Sequence, residues 1–362
     1  AQKKVEVDLY HFNSSHYNIL ELEFFSDEEK KYIRSHVLDF PIGISFPGHY
    51  IHKSYKYSRL IFKTIKDKLH EFDFIYTKGF SGWYLISQKK AKKINCSQIG
   101  VNFHGYEMFQ KPPSTKTWLQ QILFLRLPVR SISRRADVVF SYGGKITGII
   151  KSLGVEETKI FVLPSGVEES YLVDKPKETN KIIRFLFLGR YERRKGIEEL
   201  NLAIENIFKS ADLPTAEFHF IGPIPENKKI DQHQVVYHGE IRDKQKLTKI
   251  IASCDILICP SWSEGMPNVI LEAMACGLAI VATNVGATSV LVSQKTGWLL
   301  NSPSPREIEL TIRNILSLLP SDITSKKNEA LRLIKDNFVW EKLVTRFYDN
   351  ILSERTQRTK PN

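Results

Sequence analysis

Short apolar runs alternate with segments of helical periodicity along most of the chain. In the second half, six runs rich in β-branched and aromatic residues close on glycine, proline or a polar residue: IIRFLFLG, AEFHFIG, QVVYHG, DILICP, LAIVAT and GWLL. Between most of them lie stretches such as GIEELNLAIENIFK, in which apolar residues recur with helical spacing. Nearly continuous apolar strands that alternate with helices predict a parallel sheet covered on both faces.

The first half repeats the pattern, with strands predicted at FDFIYTKG, QIGVNFHG, ADVVFSYG and KIFVLPSG. We therefore predict an α/β protein of two doubly wound, Rossmann-like domains that face each other across a cleft. The predicted domains are residues 1–170 and residues 171–340, followed by a C-terminal helix and tail, 341–362, that packs back on the first domain. The polar stretch 167–181 is the expected linker.

The start of the chain departs from this pattern. It opens with a strand, KKVEVDLYHF, and no glycine precedes Gly43. In a doubly wound sheet the first strand is central and a glycine-rich turn follows it. We therefore expect that the first strand and its glycine-rich loop are missing, that the natural protein has further residues upstream, and that residues 4–10 do not form the central strand.

Composition and charge narrow the range of partners. The chain has 362 residues and a formal net charge of +12, and residues 1–175 hold 26 Lys and Arg against 18 Asp and Glu. A basic surface suits phosphate groups or anionic lipid. The sequence lacks a zinc finger, an aromatic-glycine RNA motif and an arginine tract, so we predict no nucleic-acid partner. The four cysteines form no close pairs, which favours a reducing cytoplasm over a zinc site or a disulfide scaffold.

The stretch SEGMPNVILEAMACG, residues 263–277, follows the predicted strand DILICP and so begins at the carboxyl edge of its sheet. Pro267 suits the first helical position. The next N–H groups, from Asn268 and Val269, with the flexible backbone of Gly265, then form an anion site that a diphosphate fits.

Two glutamates flank this anion site. Glu264 precedes the predicted helix and Glu272 lies eight residues further on, which a helix spans in ~12 Å. A nucleoside diphosphate sugar has comparable dimensions, so Glu264 is expected to meet the sugar hydroxyls and Glu272 the ribose hydroxyls. The spacing alone is weak evidence, because a lone helical glutamate is usually solvated.

A second element supports this interpretation. In FLFLGRYERRKGIEEL a strand ends at Gly189, and Arg190 and Lys195 follow before a helix. We predict that these two cations turn inward together and neutralise a leaving diphosphate. Arg193 and Arg194, between them, are expected to be solvated.

Together these stretches resemble the retaining family 4 glycosyltransferases of the GT-B fold. The matching segments are GRYERRKG, YHGEIRD, PSWSEGMPNVILEAMACGLAIVATNVGA, GWLL and WEKL. The resemblance implies that Arg190 and Lys195 hold the donor diphosphate, that Glu264 and the following amides hold the sugar, and that Glu272 holds the ribose. The other nucleotide-sugar contacts that it implies are Gly189, Gly239, Ile241 (whose backbone cradles the base), Gly265, Met266, Pro267, Asn268 and Val269.

The segment VNFHGYE resembles the family segment whose histidine, here His104, reaches the donor sugar near the reacting carbon. The alternative is a histidine that closes a strand and is satisfied by backbone groups.

Mechanistically, the resemblance implies sugar transfer with retention at the anomeric carbon, in which the departing phosphate takes the acceptor's proton. The donor is expected to be a UDP- or GDP-sugar, and the sugar a hexose or N-acetylhexosamine. The chain has no Asp-x-Asp motif. We therefore expect no metal and no cofactor besides the donor, because the two cations replace a divalent ion. A glycan or lipid-linked acceptor is expected, in cell-surface polysaccharide or glycoconjugate synthesis.

The segment TWLQQILFLRLPVRSISRRA, 117–136, combines apolar residues with Arg126, Arg130, Arg134 and Arg135. One interpretation is a membrane-surface element that brings a cytoplasmic enzyme to an anionic bilayer as a peripheral protein. The other, slightly favoured, is a buried core helix with a basic end. Two rival functions also remain open: a GT-B nucleotide-sugar epimerase or hydrolase, and a non-catalytic nucleotide-sugar-binding protein.

Overall fold

The computed structural model describes residues 5–12, 25–43, 48–209 and 216–352. The strands are β1 (Val7–His11), β2 (Ile33–Val37), β3 (Phe74–Lys78), β4 (Gln98–Asn102), β5 (Val138–Ser141), β6 (Ile160–Val162), β7 (Ile183–Leu188), β8 (Ala216–Ile221), β9 (Val235–Gly239), β10 (Ile256–Cys259), β11 (Ala279–Thr283) and β12 (Gly297–Leu300). The helices are α1 (Asp27–Lys30), α2 (His49–Ile65), α3 (Trp83–Lys90), α4 (Thr115–Gln120), α5 (Arg126–Arg135), α6 (Gly144–Ser152), α7 (Ile197–Phe208), α8 (Lys244–Ser253), α9 (Asn268–Ala275), α10 (Thr288–Leu291), α11 (Pro305–Leu316), α12 (Pro320–Asn337) and α13 (Trp340–Phe347).

The C-terminal half contains a six-stranded parallel sheet in the order β12-β11-β10-β7-β8-β9. This is the doubly wound order, and all six strands lie in the apolar runs that predicted them. The chain crosses from one side of β7 to the other between β9 and β10. The switch point of the sheet therefore lies between β7 and β10, where ligands of such sheets bind beyond the carboxyl ends of the strands.

Alternate residues of the central strands build the core of this sheet. Phe185 on β7 stacks on Phe218 of β8 with ring centroids 5.3 Å apart, and both side chains are buried. On one face the buried side chains of α7 and α11 pack against this aromatic layer. Helix α9 packs against β10, β11 and α12. The strands are covered by helices as the apolar runs predict, because a strand buried on both faces has no polar side.

One ion pair lies wholly inside this half. Lys327 of α12 donates to Asp255, just before β10, at 2.8 Å, and the two side chains are 0% and 2% exposed. The second carboxylate oxygen of Asp255 accepts from the backbone N–H of Arg184 at 3.0 Å. The pair therefore fixes α12 to the start of two central strands.

In the N-terminal half, β1 pairs in parallel with β2 in a two-stranded sheet, with Val7 opposite Ile33. A separate four-stranded sheet has the order β3-β4-β5-β6, and β3 and β4 are parallel with Phe74 opposite Gln98. The four strands predicted for the first domain are thus present. β1 is not the centre of their sheet, which agrees with the expectation for residues 4–10.

Contacts divide the chain into two compact units that differ from the predicted domains. One unit comprises Ala1–Asn102 and Leu123–Val139, and the other comprises Phe103–Ile122 and Phe140–Asn362. The terminal helix explains part of the difference, because it returns to residues that were predicted to belong to the first domain. The ring of Phe347 lies 5.9 Å from that of Phe140, and Arg346 donates to the carbonyl of Val162 at 2.7 Å. The tail from residue 353 lies outside the described residues.

The segment 115–135 is helical throughout, with a π-helical turn at Gln121–Leu125 between α4 and α5. Leu119, Leu123 and Leu127 are exposed, whereas Val129 and Ile132 are buried. Neither interpretation of this segment holds along its whole length: α5 buries one apolar side, and the leucines face solvent. No helix among the described residues combines the length and apolarity that a membrane crossing requires.

Candidate functional site

All the predicted site residues lie in the unit that comprises residues 103–122 and 140–362. Most of them lie on the loops that follow β7, β9 and β10. The loops after β7 and β10 leave the switch point of the sheet side by side, since β7 and β10 are neighbouring strands. The topology therefore brings together the two loops on which the sequence predicts the site.

The loop after β10 leads into α9. The helix begins at Asn268, and Pro267 is its N-cap residue with ψ 113°, so the prediction of Pro267 as the first helical residue is wrong by one position. The extended ψ keeps Pro267 outside the helix, while its carbonyl already accepts from the N–H of Ile270 at 3.0 Å. Asn268 is exposed and Val269 half-buried. Asn268 and Val269 thus lie in the first turn of α9, and an anion site formed by their N–H groups stays a prediction.

Gly265 is required where it stands. A Cβ at this position would lie 1.6 Å from the carbonyl oxygen of His104, and one at Gly286 would lie 2.2 Å from the carbonyl oxygen of Glu264. The loop after β10 is thus packed backbone to backbone on both sides. The sulfur of buried Met266 accepts from the N–H of Ser165 at 3.1 Å, which attaches the same loop to the segment after β6.

Glu264 is the most enclosed acid of the site, with 6% of the residue exposed. Its Oε1 accepts from Lys195 Nζ at 2.7 Å and from the Ser261 hydroxyl at 2.8 Å, and its Oε2 lies 3.4 Å from Arg194 Nη1. A buried carboxylate is tolerated only when its oxygens are paired in this way. Both oxygens of Glu264 are therefore held in fixed directions.

The structure corrects the prediction for the cations after β7. Lys195 lies on Glu264, but Arg190 is 73% exposed in its side chain and pairs with Glu192, so the two do not turn inward together. Arg194, which we expected to be solvated, instead contacts Glu264 and also Glu107, at 3.4 Å each.

The backbone gives the reason. Arg193–Lys195 form a 3₁₀ turn that ends at Gly196, with φ 69°. In a 3₁₀ turn successive side chains point about 120° apart, so neighbouring residues face different surroundings. A Cβ on Gly196 would lie 1.9 Å from the carbonyl oxygen of Pro260, so the turn is pressed onto the end of β10 and Lys195 is directed at Glu264. The sequence does contain a signal for the role of Arg194: three consecutive basic residues precede Gly196, so each of them could have been considered a candidate contact of Glu264.

The first cation of this turn, Arg193, has other partners. Arg193 pairs with Glu198 at 3.3 Å and with Glu199, and its guanidinium lies 5.3 Å from the ring centre of Trp262. The indole N–H of Trp262 donates to Glu199 at 3.3 Å. Arg193 thus ties the loop after β7 to the first turn of α7.

His104 lies just after β4, in the segment that packs on Gly265. Its Nδ1 is 3.1 Å from the Tyr142 hydroxyl, so the ring is oriented by a side chain and not only by backbone groups. The backbone of His104 packs on the loop of Glu264, and the contact of His104 with the donor sugar stays a prediction.

Glu272 lies half-buried in the second turn of α9. Burial, followed by the nearby charge of Glu168, raises the pKa of Glu272 to about 7. Lys244 pairs with Glu168 and lies 5.0 Å from the ring centre of Tyr171. The surroundings of Glu272 therefore combine an aromatic ring and a cation, features that sequence reasoning did not identify.

The remaining predicted contacts lie at neighbouring strand ends. The N–H of Gly189, after β7, donates to Ile221 at 3.0 Å, and the carbonyl of Gly239, at the end of β9, accepts from Gly222 at 2.9 Å. A Cβ on Gly222 would lie 2.0 Å from the carbonyl oxygen of Gly189, so these strand ends are in close backbone contact. Ile241 is half-buried in the loop before α8.

Within the described part of the chain, no group of three or more His, Cys, Asp and Glu side chains has the arrangement of a metal site. The charged groups around Glu264 instead form a cluster of three carboxylates, Glu264, Glu107 and Glu192, and two cations, Lys195 and Arg194.

The chain is similar in sequence to known glycosyltransferases. Residues 183–318 match the family described as glycosyl transferases group 1. A protein of Klebsiella pneumoniae, described as an uncharacterized 41.2 kDa protein in the cps region, is 26% identical over 77% of each chain. The putative teichuronic acid biosynthesis glycosyltransferase TuaC of Bacillus subtilis is 30% identical over 48% of this chain and 45% of its own, so the match spans about half of that relative.

Solved structures show the fold. Sucrose-phosphate synthase of Thermosynechococcus elongatus superposes with a TM-score of 0.75 at 18% identity, covering 98% of this chain and 90% of that one. HepE of Anabaena, in complex with UDP and glucose, superposes with a TM-score of 0.62 at 16% identity, covering 96% and 99%. At this level of identity the likeness concerns the architecture alone.

Proposed function

We propose that this chain, whose residues 183–318 match the group 1 glycosyl transferases and which has the GT-B fold, moves a sugar from a nucleoside diphosphate sugar to a glycan or lipid-linked acceptor. We further propose that transfer proceeds with retention at the anomeric carbon. Relatives named for a cps region and for teichuronic acid biosynthesis support a role in cell-surface polysaccharide or glycoconjugate synthesis.

One observation carries the proposal: Glu264, buried and paired with Lys195 at 2.7 Å, immediately precedes the amino end of α9, and Glu272 lies on the same helix. The amino end of α9 lies between these two glutamates in the sequence, which suits a diphosphate placed between a sugar and a ribose. In this arrangement Glu264 accepts from sugar hydroxyls, the N–H groups of the first turn bind phosphate, and Glu272 accepts from the ribose.

Charge stabilisation at the leaving diphosphate is the main catalytic contribution in this proposal. Lys195 and Arg194 contact Glu264 and so bring two positive charges to the loop that leads into α9. Fixed positive groups aimed at developing negative charge lower a barrier because they need no reorganisation during the reaction. We therefore propose that transfer proceeds without a divalent metal ion. Exposed Arg190 would reach the diphosphate only after its side chain leaves Glu192.

The proposal is tested by incubating the protein with a panel of UDP- and GDP-hexoses and N-acetylhexosamines, with EDTA and with Mg²⁺, and by identifying products by mass spectrometry and NMR. We expect thermal stabilisation by a donor, transfer in EDTA, and an α-linked product from an α-donor. Glu264→Gln should lose transfer, whereas Glu341→Gln, an exposed acid on α13, should retain it. A changed or hydrolysed sugar without transfer would instead indicate an epimerase or hydrolase, and binding without turnover a non-catalytic binder.

We also propose peripheral contact with the cytoplasmic face of an anionic membrane, through the helical segment 115–135. No Asp or Glu occurs from residue 108 to 136, while Lys111, Lys116, Arg126, Arg130, Arg134 and Arg135 supply six positive charges. The exposed leucines at 119, 123 and 127 recur every four residues, so they follow one side of the segment. Apolar side chains flanked by cations are typical of helices that lie at the lipid interface.

Flotation with vesicles tests the membrane contact. The protein should float with phosphatidylglycerol vesicles and remain behind with phosphatidylcholine alone. The variant Arg130→Ala/Arg134→Ala/Arg135→Ala should float less, and a triple lysine-to-alanine change at exposed positions 63, 175 and 209 serves as the charge-matched control. Equal flotation of all three proteins would remove the membrane proposal.

A further inference from the structure

Gln110 joins two loops of the candidate site. Its side-chain Nε2 donates to the carbonyl of Gly105 at 2.7 Å and to the carbonyl of Glu264 at 2.6 Å. Its Oε1 makes a longer contact of 3.4 Å with the N–H of Glu264. Gln110 therefore uses both amide hydrogens and one oxygen on backbone groups of the two loops.

The two loops fit together closely. A Cβ at Gly105 would lie 2.7 Å from the backbone nitrogen of Gly265, and a Cβ at Gly265 would lie 1.6 Å from the carbonyl oxygen of His104. Such contact leaves no room for water between the backbones. The carbonyls of Gly105 and Glu264 consequently depend on a side chain for their hydrogen bonds, and a buried carbonyl that lacks one costs about 1–3 kcal/mol.

The chemistry of the position calls for an amide. A primary amide presents two N–H donors and one acceptor, whereas a carboxylate presents acceptors alone. Glutamate at position 110 would direct a negative charge at two carbonyl oxygens, beside the carboxylate of Glu264. The backbone around Gln110 is itself well held: Tyr106 is buried at φ 50°, and the N–H of Gln110 donates to Glu107 at 3.0 Å.

We propose that Gln110 is a positioning residue for sugar transfer, which holds the backbone of His104 in register with the loop of Glu264. This inference rests on the proposed function, in which both residues meet the donor sugar. Gln110 itself contacts backbone groups and not the reacting atoms. A displacement of about 1 Å in the geometry of reacting groups can cost about 100-fold in rate.

A specific kinetic pattern follows. The nucleotide end of the donor meets Glu272, in the second turn of α9, and Gln110 does not contact that part of the helix. Gln110→Ala and Gln110→Glu should therefore lower kcat by about 10- to 100-fold, while the Kd for UDP changes little. Because two carbonyls lose their donor, the melting temperature of both variants should fall, but saturating UDP should raise it by as much as in the wild type. Gln232→Glu, at an exposed position before β9, is the matched control for the charge change and should behave like the wild type.

A double-mutant cycle tests whether Gln110 acts through His104. If it does, His104→Ala should lower kcat, and Gln110→Ala should add less than about 3-fold in the His104→Ala background. The inference is overturned if the Gln110 loss is the same in both backgrounds, if His104→Ala leaves kcat unchanged, or if the Gln110 variants weaken UDP binding as much as they lower kcat. Failure of the proposed function would look different, since the wild-type protein would then give no transfer product from any donor.

Discussion

Replacing Glu272 by glutamine should stabilise the protein and weaken nucleotide binding at the same time. Burial and Glu168 raise the pKa of Glu272 from its ordinary value of 4.5 to about 7. An acid with a raised pKa binds more protons in the folded protein than in the unfolded chain. Its contribution to the free energy of unfolding is therefore fully present below about pH 4.5 and is lost as the pH rises through 7. A shift of about 2.5 pKa units corresponds to about 3 kcal/mol.

Urea unfolding, followed by tryptophan fluorescence at several pH values, measures the effect. Glutamine resembles the protonated acid, so Glu272→Gln should be about 3 kcal/mol more stable than the wild type at about pH 8 and nearly equal to it at about pH 4. Calorimetry with UDP should show the opposite sign at about pH 8. The variant loses charge-assisted hydrogen bonds to the ribose, each worth about 1.5–3 kcal/mol, or about 10- to 100-fold in Kd.

The exposed acid Glu205, on α7, provides the control. Glu205→Gln should leave both the stability and the UDP affinity within about 0.5 kcal/mol of the wild type at each pH, as surface substitutions usually do. A stability difference between wild type and Glu272→Gln that does not vary with pH would refute the assignment of a raised pKa. Unchanged UDP affinity, with the expected stability gain, would refute the ribose contact alone.

Three further outcomes are expected. Lys195→Met should lower kcat/KM by about 100-fold or more, whereas Arg190→Met, at a side chain 73% exposed, should cost less than about 10-fold in steady-state assays with donor and acceptor. Lys327→Met should lower the free energy of unfolding in urea by about 3–5 kcal/mol, because it leaves the carboxylate of Asp255 buried without its partner. Burial lowers the pKa of His219, so the stability of the wild type should fall as the pH drops below about 6.5, and His219→Gln should weaken this dependence in thermal melts.

Each of these three predictions would be contradicted by a specific result. Equal losses for Lys195→Met and Arg190→Met would contradict the division of roles between the two cations. Addition of Asp255→Asn to Lys327→Met should recover part of the lost stability, and no recovery would mean that the loss comes from packing and not from the unpaired charge. Melting temperatures of wild type and His219→Gln that run parallel between about pH 5 and 8 would show that this histidine does not titrate with folding.

The sequence predicted those parts of the fold that depend on local periodicity. Each of the six strands of the C-terminal sheet lies in a run of apolar residues closed by a glycine, a proline or a polar residue, and the helix after β10 begins within one residue of its predicted start. A strand buried on both faces must be apolar throughout, and the chain must turn where it leaves the strand. Strands and turns can therefore be predicted from residues that are close together in the sequence. The resemblance added the GT-B fold, which the solved structures confirm.

The division of the chain could not be predicted in this way. Segment 103–122 belongs with the C-terminal half, because its contacts are with residues more than a hundred positions away, as in the pairing of Gln110 with Glu264. Hydrophobic periodicity predicts whether a segment forms a helix or a strand, but it does not predict which segment it packs against. The separate pairing of β1 with β2 likewise depends on a partner that the pattern does not name.

By itself the sequence determined the sheet, the carboxyl edge at which the site is predicted, and the two glutamates eight residues apart. The tertiary structure decided which cation reaches Glu264: Lys195 and Arg194 approach it, while Arg190 faces solvent. In a short 3₁₀ turn one residue changes the direction of a side chain by about 120°, and that direction is fixed by the contact of Gly196 with the distant carbonyl of Pro260. The sequence gives the identity and spacing of such residues. The orientation of their side chains depends on backbone contacts with distant parts of the chain.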